Sequence, residues 1–205
     1  MATVDLSRKL SELHDVFSPS EGTRPAEEAR DLVVDIAHIC LKELPENELA
    51  FCCSELFNKD TGILKFLQKA VNKDEFSESK GQMLEFLYPF LKKYGQHLLD
   101  HVVDIKNTCL SLFTRDSSAK VKAKTFDVLV QVIKLTSRAP MANELDIQKM
   151  IEKYFISLTQ PSKLSQTVKH GIYELLGVIA EVYPEVMLPY SVLYTYMLLF
   201  YFDLQ

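Results

Sequence analysis

Leu84-Glu85-Phe86-Leu87, Phe126-Asp127-Val128-Leu129 and Tyr173-Glu174-Leu175-Leu176 share one signature: bulky apolar, acid, apolar, Leu. They begin at residues 84, 126 and 173, so they stand 42 and then 47 residues apart. Roughly 40–47 residues is the period of stacked helix pairs of the HEAT or armadillo kind. In such an array no unit buries its apolar face alone; each covers its neighbour's. The spacing therefore predicts an all-α chain, a right-handed α-solenoid of HEAT/armadillo-like helix pairs. A scaffold of this kind makes no active site by virtue of its fold.

The totals agree. With 47% hydrophobic residues the chain is too apolar to stay disordered. Six glycines in 205 residues are too few for a fold built on tight sheet turns. A net charge of −5 excludes a protein that coats nucleic acid over its whole surface, and leaves room for a local basic patch. Cys40, Cys52, Cys53 and Cys109 form no CxxC pair. All four read as reduced thiols in or near the core of an intracellular protein. The first residues include Asp5, Arg8, Lys9 and Glu12 without an apolar core of signal-peptide length, which argues against secretion.

Apolar residues at three- and four-residue steps predict helices over 4–17, 25–44, 47–57 and 61–71, from Asp74 to Tyr94, and over 97–113, 118–136, 143–158 and 165–183. Thr61, Asn143 and Ser165 read as caps, and Pro25 as a first-turn proline. Gly95 reads as a terminator and Pro89 as a kink. The 118–136 helix is apolar over so wide an arc that it is expected to be covered on more than one side.

The end of the chain differs in kind. Residues 186–202, VMLPYSVLYTYMLLFYF, hold no charge. Three readings stay open: a short membrane span, a buried helix, or a non-native end to a truncated chain. Pro189 and the interspersed Tyr, Ser and Thr weigh against a span, as does the lack of a Lys or Arg flank. Residues 1–187 are read as HEAT-like repeats and 188–205 as an atypical apolar tail, a truncated or mis-joined gene-model end. An array that closes on apolar instead of polar residues is expected to self-associate.

Motifs of known chemistry are missing from the sequence. There is no phosphate-binding glycine loop, GxSxG, HExxH or CxxC, and no HRD or DFG tripeptide. His97 and His101 stand four apart on one expected helix, where both rings would face one zinc ion. Asp100 and Asp104 are near, but no thiol is placed to complete a set. The pair otherwise reads as solvated. The basic run is more informative. Arg115, Lys120, Lys122 and Lys124 fall within ten residues, opposed only by Asp116, at a helix–helix turn and the first turns of the next helix. Helix N-termini favour anions, so these four cations are candidate phosphate contacts. The other reading is a solvated charge run. With no interleaved aromatics to stack on bases, contact would be to backbone phosphates and carry no sequence information.

Two segments bear a specific likeness: DIKNTCLSLFTRDSSAKVKAKTFDVLVQVIKL at 104–135 and YELLGVIAEVYPEVM at 173–187. TGILKFLQKAVNKDEF at 61–76 and MLEFLYPFLKKYGQ at 83–96 add to it. Over roughly residues 6–187 the chain resembles the extreme N-terminal region of DNA-dependent protein kinase catalytic subunits, which belong to the phosphatidylinositol 3-kinase-related kinases. The resemblance implies the opening HEAT-like repeats of a Ser/Thr kinase whose catalytic domain lies far C-terminal. It implies no enzyme activity and no cofactor in this chain, ATP and Mg belonging to the kinase domain. It also implies a nuclear scaffold that meets DNA ends and the Ku heterodimer in non-homologous end joining, and the remainder of the solenoid as a neighbour. No small-molecule substrate and no membrane are implied. After Met187 the resemblance stops: YSVLYTYMLLFYFDLQ does not resemble the family's continuing repeats. Thr159-Gln160 and Ser165-Gln166 are dipeptides such kinases phosphorylate, but pairs of this type arise often by chance. The competing reading is a generic HEAT-repeat adaptor that binds a protein partner.

Overall fold

The computed structural model describes residues 2–18, 24–42, 46–137, 146–160 and 164–203. Among these residues there is no strand; the chain is all-α. The helices are α1 (Ala2–Asp15), α2 (Pro25–Leu41), α3 (Glu46–Leu56), α4 (Ile63–Ala70), α5 (Ser77–Tyr94), α6 (Val102–Arg115), α7 (Ala119–Thr136), α8 (Ile147–Leu158), α9 (Gln166–Val182), α10 (Pro184–Met187) and α11 (Ser191–Asp203). Short 3₁₀ segments at Asp74–Phe76, Gly95–His101 and Leu188–Tyr190 join some of them.

These helices lie in two rows. α2, α5, α7 and α9 pack side by side in one row. α1, α4 and α6 form the other, and α8 extends it through the ring contact of Phe113 with Tyr154 at 5.0 Å. Across the rows α1 meets α2, α6 meets α7 and α8 meets α9. The three repeated signatures fall on α5, α7 and α9, successive members of one row. Their apolar positions are buried, Tyr173 partly so, and their acids Glu85, Asp127 and Glu174 are exposed. That is what a four-residue signature means on a helix: one outward residue inside an inward arc.

α7 is the middle of the stack. Val121, Phe126, Val128, Leu129, Val130, Val132 and Ile133 are all buried, because α5, α6 and α9 each cover part of the arc. Phe113, Phe126 and Tyr154 form an aromatic triangle with centroids 5.6, 5.0 and 5.5 Å apart, joining α6, α7 and α8. Two glycines set how closely α7 is approached. A Cβ on Gly171 of α9 would lie 2.4 Å from Cδ2 of Phe126, and one on Gly95 would lie 2.3 Å from Cδ2 of Leu135. Gly95 does end α5 as expected, but not by a left-handed turn: its φ is −57° and the chain winds on as a 3₁₀ helix. It is glycine because α7 leaves no room for a side chain.

Other local expectations fare unevenly. Ser118 and Ser165 cap α7 and α9, each hydroxyl accepting from the amide three residues on at 3.3 Å. Pro25 opens α2. Thr61 does not cap α4; Gly62 occupies that position without a side-chain bond. The turn is instead held by the Asn58 carboxamide oxygen, which accepts from the amides of Asp60 and Thr61 at 2.9 and 3.2 Å. Pro89 lies inside α5, which runs on to Tyr94. The expected cap Asn143 lies outside the described residues. All four cysteines are buried and unpaired. Burial pushes the Cys109 thiol up to about 12 and the Cys53 thiol up to about 11.

The tail helix α11 is not buried. Among the described residues no helix is long and apolar enough to cross a membrane. α11 leans on α9 along one edge, where the Tyr194 hydroxyl donates to the Tyr173 carbonyl and the Tyr173 hydroxyl to the Met197 carbonyl, both at 3.3 Å. Other described side chains face outward: Val192 is 83% exposed and Leu199 61%.

Candidate nucleic-acid interface

The four expected cations gather at the α6–α7 elbow, but not on one face. Arg115 is the last residue of α6, and Lys120, Lys122 and Lys124 occupy the first two turns of α7. At about 100° per residue, Lys120 and Lys124 share a face, while Lys122 points roughly 200° away from Lys120. Arg115 and Lys120 are exposed; Lys122 and Lys124 are half-buried.

The elbow itself is rigidly anchored. Asp116 follows α6 as its cap, and its carboxylate accepts from the Ser118 amide at 2.9 Å. The same carboxylate pairs with Lys80 of α5, both side chains being fully buried. Ser117 donates to Asp74 in the 3₁₀ segment before α5. The acid that the sequence set against the basic run is thus turned inward and neutralised from another helix. Removing one partner of such a pair strands a buried charge and costs about 3–5 kcal/mol.

Lys80 was the residue sequence reasoning missed. Its signal was present: Lys80, Met83, Leu84, Leu87, Phe90, Leu91 and Tyr94 follow one three- and four-residue stripe, so a lysine heads a buried face. Lysine is almost never fully buried without a partner, which makes such a position a prompt to look for a buried acid.

Electrostatics divide the four candidates. Lys124 pairs with Glu85 across α5 and α7. Among the described residues no acid pairs with Arg115, Lys120 or Lys122. Beyond Lys124 the row turns acidic. The Asp127 carboxyl is pushed up chiefly by partial burial, with Lys124 acting against this and the Glu174 and Glu85 carboxylates adding to it. The surface between α7 and α9 is consequently mixed in sign.

His97 and His101 do not share a face as expected. They lie in the 3₁₀ segment, where four residues amount to one and a third turns, and the His101 ring stacks on Phe57 at 5.0 Å. Among the described residues no group of three or more His, Cys, Asp or Glu side chains is placed to hold a metal ion.

A family model described as DNA-PKcs, N-terminal, matches residues 50–201. The match runs past Met187 into α11, further than the likeness read from the residues. The chain is 33% identical to the DNA-dependent protein kinase catalytic subunit of Canis lupus familiaris over 181 residues, 88% of this chain. It is 35% identical to that of Xenopus laevis over 160 residues, 78% of this chain, and 30% identical to that of Dictyostelium discoideum over 158 residues, 73% of this chain. In each case the chain spans 4% of the relative's length. The chain belongs to the DNA-PKcs N-terminal family.

Proposed function

We propose that this chain serves as an N-terminal scaffold of a DNA-dependent Ser/Thr kinase, acting in the nucleus in double-strand break repair by non-homologous end joining. On this reading its two helix rows are HEAT-like solenoid repeats. It meets a DNA end and the Ku heterodimer, and phosphoryl transfer belongs to a kinase domain outside this chain. Membership of the family and the relatives' printed name support the link to DNA.

The observation that carries the reading into this chain's own residues is the inward turn of Asp116. Because Lys80 takes that carboxylate, the elbow presents its cations without the acid that sits among them in sequence. Arg115, Lys120, Lys122 and Lys124 are the proposed phosphate contacts. Lys124 stands apart, since a phosphate must compete there with Glu85. Cations fixed on a pinned elbow lose little freedom on binding, and they address backbone charge without reading sequence.

Because Lys120 and Lys122 lie on opposite sides of α7, one duplex engages Arg115 and one of these two lysines, which gives a slope of log affinity against log salt of roughly −1.8. Titrating a blunt-ended duplex into the chain at several salt concentrations measures it. A slope near zero, or unchanged affinity after Arg115→Glu, Lys120→Glu and Lys122→Glu together, overturns the assignment.

A further inference from the structure

α7 and α9 are laid in matching register, 47 positions apart. Ser118 and Ser165 cap them, and Asp127 and Glu174 hold the signature acid on each. A cleft of about 500 Å³ runs between them. Ala123, the backbone of Gly171 and the Phe126 ring line its apolar part. Lys120 stands at the end formed by the first turns of both helices, and Asp127 and Glu174 stand at the other. Lys124 lines the middle, already tied to Glu85. The cleft is therefore cationic at the Lys120 end and anionic at the Asp127–Glu174 end, and between them the apolar Ala123 and Phe126 lie beside His170 and the Glu85-paired Lys124.

We propose that the α7–α9 cleft docks an extended peptide segment of a protein partner, with an acidic residue at Lys120, an apolar side chain over Gly171 and a Lys or Arg at Asp127 and Glu174. Charge complementarity selects this occupant. A nucleic-acid backbone presents anions along its whole length and meets two carboxylates at the far end. A uniformly basic segment meets Lys120 at the near end. The Asp127 carboxyl is raised chiefly by partial burial, with the Glu174 and Glu85 carboxylates adding to it against Lys124, so a cationic side chain from a partner would meet an acid-rich end. Spacing agrees too. Lys120 and Asp127 are seven helix residues apart, a rise of about 10.5 Å. In an extended chain residues i, i+2 and i+4 share a face and span about 13 Å, within reach of both ends.

The test uses the whole chain and three fluorescently labelled peptides followed by anisotropy up to millimolar concentration: Glu-Thr-Leu-Thr-Lys, Glu-Thr-Leu-Thr-Glu and Lys-Thr-Leu-Thr-Lys. The mixed peptide is expected to bind at least tenfold more tightly than either single-sign peptide. Asp127→Lys combined with Glu174→Lys, both exposed and so harmless to the core, is expected to move the preference to the Glu/Glu peptide. Ala123→Leu, which fills the apolar part, is expected to weaken all binding. Equal binding of the three peptides, no binding of any, or indifference to the double charge reversal overturns the proposal. So does a DNA duplex that binds the double variant more tightly while the mixed peptide does not bind the parent chain, which assigns the cleft to nucleic acid. The elbow reading fails separately, through Arg115 and Lys122, which lie outside the cleft.

Discussion

α7 and α11 are both strongly apolar helices, and they have opposite fates. α7 is buried from several sides, yet it keeps Lys120, Asp127 and Lys134 on an outward strip. α11 has no charge before Asp203 and leaves Val192, Tyr196 and Leu199 facing out. The difference teaches that apolarity alone does not bury a helix. A polar strip tells a helix which side is out, and the arc that remains can then be matched by neighbours. α11 offers no such instruction, and among its described side chains it is the Tyr194–Met197 edge that meets α9.

The contrast breaks most visibly at the buried pair that pins the elbow before α7. Lys80→Ala is expected to lower unfolding free energy by about 3–5 kcal/mol, much of the 5–15 kcal/mol typical of a domain, as read by urea denaturation. Next comes the contact of α9 with α7. Gly171→Ala drives a methyl into the Phe126 ring and is expected to cost about 1–3 kcal/mol, with the loss of Tm reduced when Phe126→Leu is added.

Tyr154 sharpens the same interior in the opposite direction. Among the described residues its buried hydroxyl has no hydrogen-bond partner, and burial pushes its pKa well up. Tyr154→Phe removes an unsatisfied polar group and is expected to raise stability by about 1 kcal/mol. On the α11 side the expected effect on stability is smaller still. Ending the chain after Tyr190 is expected to change unfolding free energy by under about 1 kcal/mol, since exposed positions contribute little, and to reduce self-association in light scattering.

The smallest effect is electrostatic and lies on the outward strip of α7. Asp127 is held above its ordinary value of 3.8 in the folded chain. Below that value the carboxyl is protonated in both states and has no effect. As pH rises through the raised folded value, the unfolded state gives up its proton more readily, so stability falls. Asp127→Asn is therefore expected to raise Tm at pH 7 and to lose that advantage at pH 3.

Much of this was legible in the chain because the repeated signature encodes an outward acid within an inward arc. Glu85, Asp127 and Glu174 alone suffice to line up α5, α7 and α9. The basic elbow was legible as a cluster, but its polarity was not. Asp116 looks like a counter-charge in sequence, and only packing shows that it answers Lys80, 36 residues earlier. Gly95 was legible as the end of α5 but not in its reason, because a glycine after a helix has two physical uses, a left-handed turn or a close approach, and residue type does not separate them. The cleft between α7 and α9 was hidden for the same reason: it needs Gly171 to be set against Phe126 by a register that spacing implies but side-chain identity does not announce.

Amide hydrogen exchange followed by mass spectrometry tests the central claim most directly, that shared apolar faces between successive helices hold this stack. Peptides covering 121–136 of α7 are expected to exchange slowest, with α5 and α9 close behind, while 191–203 of α11 exchanges orders of magnitude faster. Equal protection of α7 and α11, or α7 exchanging as fast as an exposed helix, contradicts the account.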